Sequence, residues 1–282
     1  MKAIFLDAIK SSTRVRDRLG LNMFEPVNIY DVCEQEGITV RIVNINMEGI
    51  YVKSDKFNKP TILLSNERPI PRRIFTCAHE YGHHFFGHGS KIDSLNYSNQ
   101  YTSDQDQEEL LVNVFAGSLL MPIAGIQAEF AKRKLNPNTA SPLEYYLISS
   151  FFGVGYHTLI YQCRANRITN NSTTKTLLKY IPSKIFKENF SRELKSSHFK
   201  YFDNHSQPTY VDLEVSNYIV LPSNASVDKS FLKPIRITGL GIVYSAIKSG
   251  ISEVRSENFK RNMTIRIESQ NYIGLSEYRH LE

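Results

Sequence analysis

The five residues His79-Glu80-Tyr81-Gly82-His83 decide what kind of chain this is. On a helix, residues four apart lie on one face, so His79 and His83 can each turn a ring nitrogen toward the same point. Glu80 stands about 100° further round, given the roughly 3.6 residues per turn of an α-helix. Its carboxylate then lies beside that point and not on it. Two imidazoles aimed at one place suit a divalent cation, and an adjacent acid suits a general base acting on water. Apolar flanks support this. Ile74, Phe75, Cys77 and Ala78 precede the motif, and Phe85 and Phe86 follow it. Such a helix is sunk in a core, where histidine and glutamate are costly without partners. Gly82 lowers helix propensity but admits a close neighbour. The competing explanation, a surface helix that carries these residues by chance, leaves the flanks unexplained.

A catalytic zinc has three protein ligands and an open position, so a third ligand is needed from a neighbouring element. The stretch from Asp104 to Pro122 reads as a second helix. Its acidic start suits a helix N-terminus, and Pro122 marks its end. Glu109 and Asn113 are four apart and share a face. Glu109 can complete a His-His-Glu set; Glu108 and Asp106 compete for that role, and simple capping is a further use for these acids. Ala116 and Gly117 are small enough for close helix packing.

Two blocks now stand in order. Arg72-Arg73-Ile74-Phe75-Thr76-Cys77-Ala78-His79-Glu80-Tyr81-Gly82-His83 is similar to the R-R-F-T-x-A-H-E-x-G-H of the ImmA/IrrE family of bacterial metallo-endopeptidases. Glu109-Leu110-Leu111-Val112-Asn113-Val114-Phe115-Ala116, followed by Leu119-Leu120-Met121-Pro122, resembles that family's E-x-x-A-N-x-F-A and L-L-M-P. The resemblance spans about residues 24–165. It implies a zincin-like peptidase fold, with His79, His83 and Glu109 as metal ligands and Glu80 as catalytic base. Zinc is the expected ion, with manganese or another divalent cation compatible with the same donors. Val112 departs from the family's alanine, and His88 comes slightly later than the family's histidine.

The rest of the chain sets bounds. Its 282 residues allow two or three domains. No apolar run of about 18 residues suggests a membrane span. The first ten residues, interrupted by Asp7, make a poor signal peptide. Cys33, Cys77 and Cys163 are odd in number and far apart, which suits buried thiols and a cytoplasmic setting. Residues 1–150 hold 16 Lys/Arg against 17 Asp/Glu, whereas residues 151–282 hold 18 against 11. A basic second half can meet nucleic acid or an acidic protein, although no dense Lys/Arg cluster appears.

The expected class is α+β: a metallopeptidase domain over 1–135, a helix-turn-helix-like segment over 136–170, and an α+β domain over 171–282 for sensing or partner docking. Residues 2–19 and 24–37 read as helices. Strands are expected at 38–43, 49–53 and 61–65, with a turn over 54–60. The Thr61–Ser65 strand is a candidate for pairing with a substrate peptide by strand addition, against the alternative of an interior strand. Lys91–Ser103 reads as a surface loop. Tyr97, Tyr101, His84 and His88 are candidates for stabilising an oxyanion. Residues 142–168 form two helices about Gly153-Val154-Gly155. Tyr156, His157, Gln162, Arg164 and Arg167 are available to an outward face there, but Leu159, Ile160 and Tyr161 are not, which favours packing or protein docking over base reading. Further helix is expected near 175–195, and strands near 209–222, 234–245 and 262–274.

The resemblance implies limited cleavage of a partner protein, a helix-turn-helix transcriptional repressor, during stress or induction of a mobile element. The alternative is a non-catalytic DNA- or protein-binding regulator with a structural metal site. Glu80 separates the two, because a structural site needs no base and uses four protein ligands.

Overall fold

The computed structural model describes residues 2–53, 59–88, 91–93, 104–194, 198–206, 208–257, 259 and 262–281. The helices are α1 (Lys2–Arg18), α2 (Ile29–Gln35), α3 (Ile70–Phe85), α4 (Asp104–Leu120), α5 (Ile123–Lys132), α6 (Pro142–Phe152), α7 (Tyr156–Ala165), α8 (Asn171–Leu177) and α9 (Pro182–Asn189). The strands are β1 (Thr39–Val43), β2 (Gly49–Val52), β3 (Thr61–Ser65), β4 (Lys91–Asp93), β5 (Phe199–Tyr201), β6 (Tyr210–Glu214), β7 (Tyr218–Leu221), β8 (Ser226–Val227), β9 (Leu232–Thr238), β10 (Gly241–Ala246), β11 (Gly250–Arg255), β12 (Met263–Glu268) and β13 (Gly274–Leu275). This is a mixed α+β chain. It divides into two compact units, one of Met1–Pro122 with Asn271–Tyr278, the other of Ile123–Gln270 with Arg279–Glu282.

In the first unit, α1 packs on α4 and α4 packs on α3. Ala8, Ser11, Ser12, Val15 and Arg16 are all buried, the spacing of one helical stripe. Arg16 is fully enclosed and donates from Nε to the Leu119 carbonyl at 2.8 Å and from Nη1 to the Glu25 carbonyl at 3.2 Å. It thus serves one of the carbonyls that the end of α4 leaves open.

The sheet of this unit runs β13-β1-β3-β2-β4. The expectation that the Thr61–Ser65 strand offers a free edge is overturned. β3 pairs parallel with β1 and antiparallel with β2, so both its edges are used. Four of its five residues are buried, as suits an unbroken apolar run inside a sheet. The outer strand on the β2 side is β4, within the segment expected to be loop; residues 94–103 of that segment lie outside the described residues. So do residues 54–58 of the expected turn. On the opposite side the sheet ends in β13, from near the C-terminus, antiparallel to β1.

The second unit holds two four-stranded sheets, β5-β7-β10-β9 and β6-β12-β11-β8. Their buried cluster includes Phe202, Leu213, Ile219, Leu232, Val254, Ile265 and Ile267. The stretch near 209–222 expected to be strand holds β6 and β7, divided by a turn in which Ser216 takes a positive φ of 73°. β11 was not expected: it alternates buried and exposed residues, and its polar half masked the strand. Glu129, completely buried on α5, accepts from Arg133, which also grips Asp203 through Nε at 2.8 Å and Nη2 at 2.9 Å. A buried acid is tolerated when so paired.

The two helices flanking Gly153 are present. A capping box of Ser141 and Glu144 starts α6, and Gly153 ends it in the left-handed region at φ 72°. On α7, Tyr156 donates to the Leu177 carbonyl at 3.0 Å, and His157 Nε2 donates to the Tyr180 carbonyl at 2.8 Å. Gln162 is buried. Three of the five residues proposed for an outward face therefore pack inward or tie down the following chain. No single helix among the described residues is long and apolar enough to cross a membrane.

Candidate metal centre

Pro69 caps α3, and Pro71 stands in its first turn, where a missing amide hydrogen costs nothing. From Arg73 to His83 every residue of the helix is buried. α2, β2, β3 and α4 pack around it. Gly82 sets the approach of α4: a β-carbon there would meet Val112 Cβ at 3.0 Å and Phe115 Cδ1 at 3.2 Å. Gly82 and Val112 thus form one close contact between α3 and α4.

Across this contact three donors converge. His79 Nε2 and His83 Nε2 are 3.2 Å apart. His79 Nε2 lies 3.3 Å from Glu109 Oε2, and His83 Nε2 lies 3.3 Å from Glu109 Oε1. Tetrahedral ligands with metal bonds of about 2.0–2.1 Å stand about 3.3 Å from one another. The two contacts use different oxygens of Glu109, and one donor atom from each of His79, His83 and Glu109 lies within 4.8 Å of the others, so the three can hold a divalent ion. Both histidines are buried, and the Glu109 side chain is 22% exposed. Of the competing acids, Glu108 is not in this set, and the side chain of Asp106 lies outside the described residues.

Each imidazole is held from behind. His79 Nδ1 is 3.0 Å from Asn113 Oδ1, one turn along α4 from Glu109. With the amide oxygen accepting, the proton sits on Nδ1 and the Nε2 lone pair faces the shared point. His83 Nδ1 lies 3.0 Å from His88 Nδ1.

Glu80 is 1% exposed, and its Oε2 accepts the Tyr51 backbone amide at 2.8 Å. A main-chain donor on β2 thus fixes the carboxylate on the helix face next to the two histidines. One turn on, His84 Nδ1 is 2.8 Å from the Tyr51 hydroxyl. Burial, then the nearby Lys53, holds the His84 imidazole below its ordinary range, and burial raises the Tyr51 phenol. His84 therefore stands near the centre as a neutral ring engaged by Tyr51. His88 lies behind the His83 ring, on the side away from Nε2, a poor place from which to meet an oxyanion. Tyr97 and Tyr101, the other two candidates for that role, lie outside the described residues.

Sequence reasoning did not find Tyr51. Its contribution to Glu80 is a backbone amide, which leaves no residue-type signal. Asn113 was placed on the face of Glu109, and its hydrogen bond to His79 is the use of that placement.

The family profile described as the IrrE N-terminal-like domain, Peptidase M78, matches residues 33–164. The match runs from α2 through α7 and so includes His79, Glu80, His83 and Glu109. No curated protein matches the chain.

Proposed function

We propose, from a chain whose residues 33–164 carry a domain of the IrrE N-terminal-like peptidase family, that it is a zinc-dependent endopeptidase making limited cuts in a partner protein. The observation that carries this is the convergence of His79, His83 and Glu109 at 3.2–3.3 Å, with Glu80 buried beside them. These three residues would hold the ion, and the bound ion would polarise the scissile carbonyl and acidify water. Glu80 takes the proton of the attacking water and delivers it to the leaving amine. The Tyr51 amide keeps that carboxylate in place through both transfers. Asn113 keeps the His79 lone pair turned to the ion.

The substrate we favour is a helix-turn-helix transcriptional repressor, whose cleavage would release transcription under stress or on induction of a mobile element. Residues 140–282 would dock it. An intracellular, reducing setting belongs to the same proposal. Cys33, Cys77 and Cys163 are buried thiols outside any disulfide, with Cys33 and Cys77 in contact at 3.8 Å between sulfurs.

The competing reading is a non-catalytic regulator with a structural ion, and the basic second half of the chain speaks for it. A structural zinc site has four protein ligands, however, and the described residues supply three. The test is incubation of the purified, zinc-loaded protein with candidate repressors. Wild type should cut at one or a few bonds. Glu80→Gln should bind zinc normally and cut at least a hundred-fold more slowly, the order of general acid–base contributions. Equal cutting by both proteins excludes the role given to Glu80. Salt-steep binding to DNA without cutting supports the regulator.

A further inference from the structure

We infer that His88 is the positioning residue for His83, holding its imidazole in the tautomer and direction that a metal ion needs. The inference rests on His83 being a metal ligand, as proposed above. If Nε2 of His83 coordinates an ion as a neutral imidazole, its proton must sit on Nδ1. That proton needs an acceptor, since the ring is 1% exposed. His88 Nδ1 stands 3.0 Å away and supplies one. His88 must then carry its own proton on Nε2, so here it accepts and does not donate.

The local chain is shaped to bring His88 back to this place. α3 stops at Phe86, and Gly87 takes a left-handed φ of 71°. That turn is closed by the His88 amide donating to the His83 carbonyl at 2.9 Å. Phe86 and His88 then lie nearly parallel, with interplanar angle 25° and centroids 5.9 Å apart. The His83 and His88 rings meet at 60° with centroids 5.1 Å apart, which directs one Nδ1 at the other. Two backbone-fixed residues after the helix thus return a side chain to the ligand that opens its last turn. His79 obtains the same support from a different helix, through Asn113. The two imidazoles are braced independently.

The acceptor role dictates the test. Asparagine places its side-chain oxygen close to where histidine carries Nδ1, so His88→Asn keeps the acceptor while removing the ring. His88→Leu keeps the bulk against Phe86 and removes the acceptor, and His88→Ala removes both. Zinc affinity of the full chain is measured by competition with a chromophoric chelator, and the visible spectrum of the cobalt-substituted protein reports ligand geometry. His88→Leu and His88→Ala should bind zinc about 10–100-fold more weakly, the usual effect of losing a partner to a ligating histidine. His88→Asn should stay within about three-fold of wild type by the same reasoning and keep the wild-type cobalt spectrum. Wild-type affinity in His88→Leu overturns the inference. So does a loss in His88→Asn as large as that in His88→Leu, which would mark packing as the cause. If His88→Leu fails to fold, the comparison of His88→Asn with His88→Ala decides. Tight zinc binding with the expected ranking but no proteolysis leaves this inference standing and removes the peptidase; no zinc uptake by wild type removes both.

Discussion

Asn113 offers the second orienting contact at the candidate metal centre, and it can be removed without touching His79, His83 or Glu109. Its Oδ1 accepts from His79 Nδ1 at 3.0 Å. Asn113→Ala leaves a buried N–H without that acceptor and frees the ring to turn. Zinc affinity should fall about 10–100-fold. Asn113→Asp should hold it near wild type, because a carboxylate accepts the same proton and makes the ring more basic. Chelator competition measures both, and an unchanged affinity in Asn113→Ala would count against any orienting role. The same residues show how far the sequence reaches. His79, Glu80 and His83 were legible because their geometry is set inside one turn of helix. Glu109 and Asn113 were legible as a pair sharing a face, although spacing alone left Glu108 and Asp106 in contention. The Tyr51 amide was not legible, since any residue at that position supplies the same N–H. His84 and His88 were seen as histidines near the motif, but ring direction depends on where the chain goes after Gly87, which residue type does not tell.

At the scale of elements, the candidate metal centre depends on how closely α4 approaches α3. Val112 occupies the space that a side chain at Gly82 would fill. Gly82→Ala gains about 1 kcal/mol in helix propensity. Against this, it forces overpacking that costs about 1–3 kcal/mol, because a β-carbon would stand 3.0 Å from Val112 Cβ. The net expectation is a modest loss of stability with a larger loss of zinc affinity, since a shift of α4 carries Glu109 away from the histidines. Val112→Ala removes the Cγ1 contact at 3.2 Å but keeps the β-carbon at 3.0 Å, so the double variant should recover only part of both losses. The four proteins make a cycle, read by denaturant titration and chelator competition; strict additivity would show that the two residues do not meet. The elements at this contact were foreseeable. α3 and α4 are long, and their motifs sit where helical spacing puts them. Strand pairing was harder. Thr61-Ile62-Leu63-Leu64-Ser65 announces a buried strand, but an apolar run does not say which neighbours take its two edges. β13 is only two residues long, and its partner β1 lies more than 200 residues away in sequence, so no local pattern could reveal it.

At the scale of the whole molecule, the last stretch of chain serves both units. Residues Asn271–Tyr278 belong to the first, where β13 pairs with β1 and Asn66 Nδ2 donates to the Asn271 carbonyl at 3.1 Å. Arg279 belongs to the second, where its Nη2 donates to Asp212 Oδ1 at 2.9 Å. Arg266 grips the same carboxylate through Nε at 2.9 Å and Nη2 at 2.8 Å. Burial alone would raise the Asp212 carboxyl, but the two guanidinium groups outweigh it and hold the group well below the usual carboxylate range. The folded state therefore gives up a proton that the unfolded chain keeps. The resulting stabilisation is complete above the unfolded value of about 3.9 and is lost as pH falls below it. Arg279→Met should lower stability near neutral pH by about 1–3 kcal/mol, since one charge-assisted bond goes while Arg266 remains. Its deficit should shrink as the pH is taken below about 4, where the unfolded chain keeps its carboxyls protonated. Zinc affinity should not change, because Asp212 and Arg279 lie outside the unit that holds His79, His83 and Glu109. Ending the chain after Gln270 should do more. It removes Arg279 and also strips β1 of β13, so stability should drop further and zinc affinity should fall with it. Urea titrations at pH 7 and at about pH 3, below the unfolded carboxyl value, run beside chelator competition, separate the two contributions. A truncated chain with wild-type zinc affinity and the stability of Arg279→Met would mean that β13 adds nothing to the first unit.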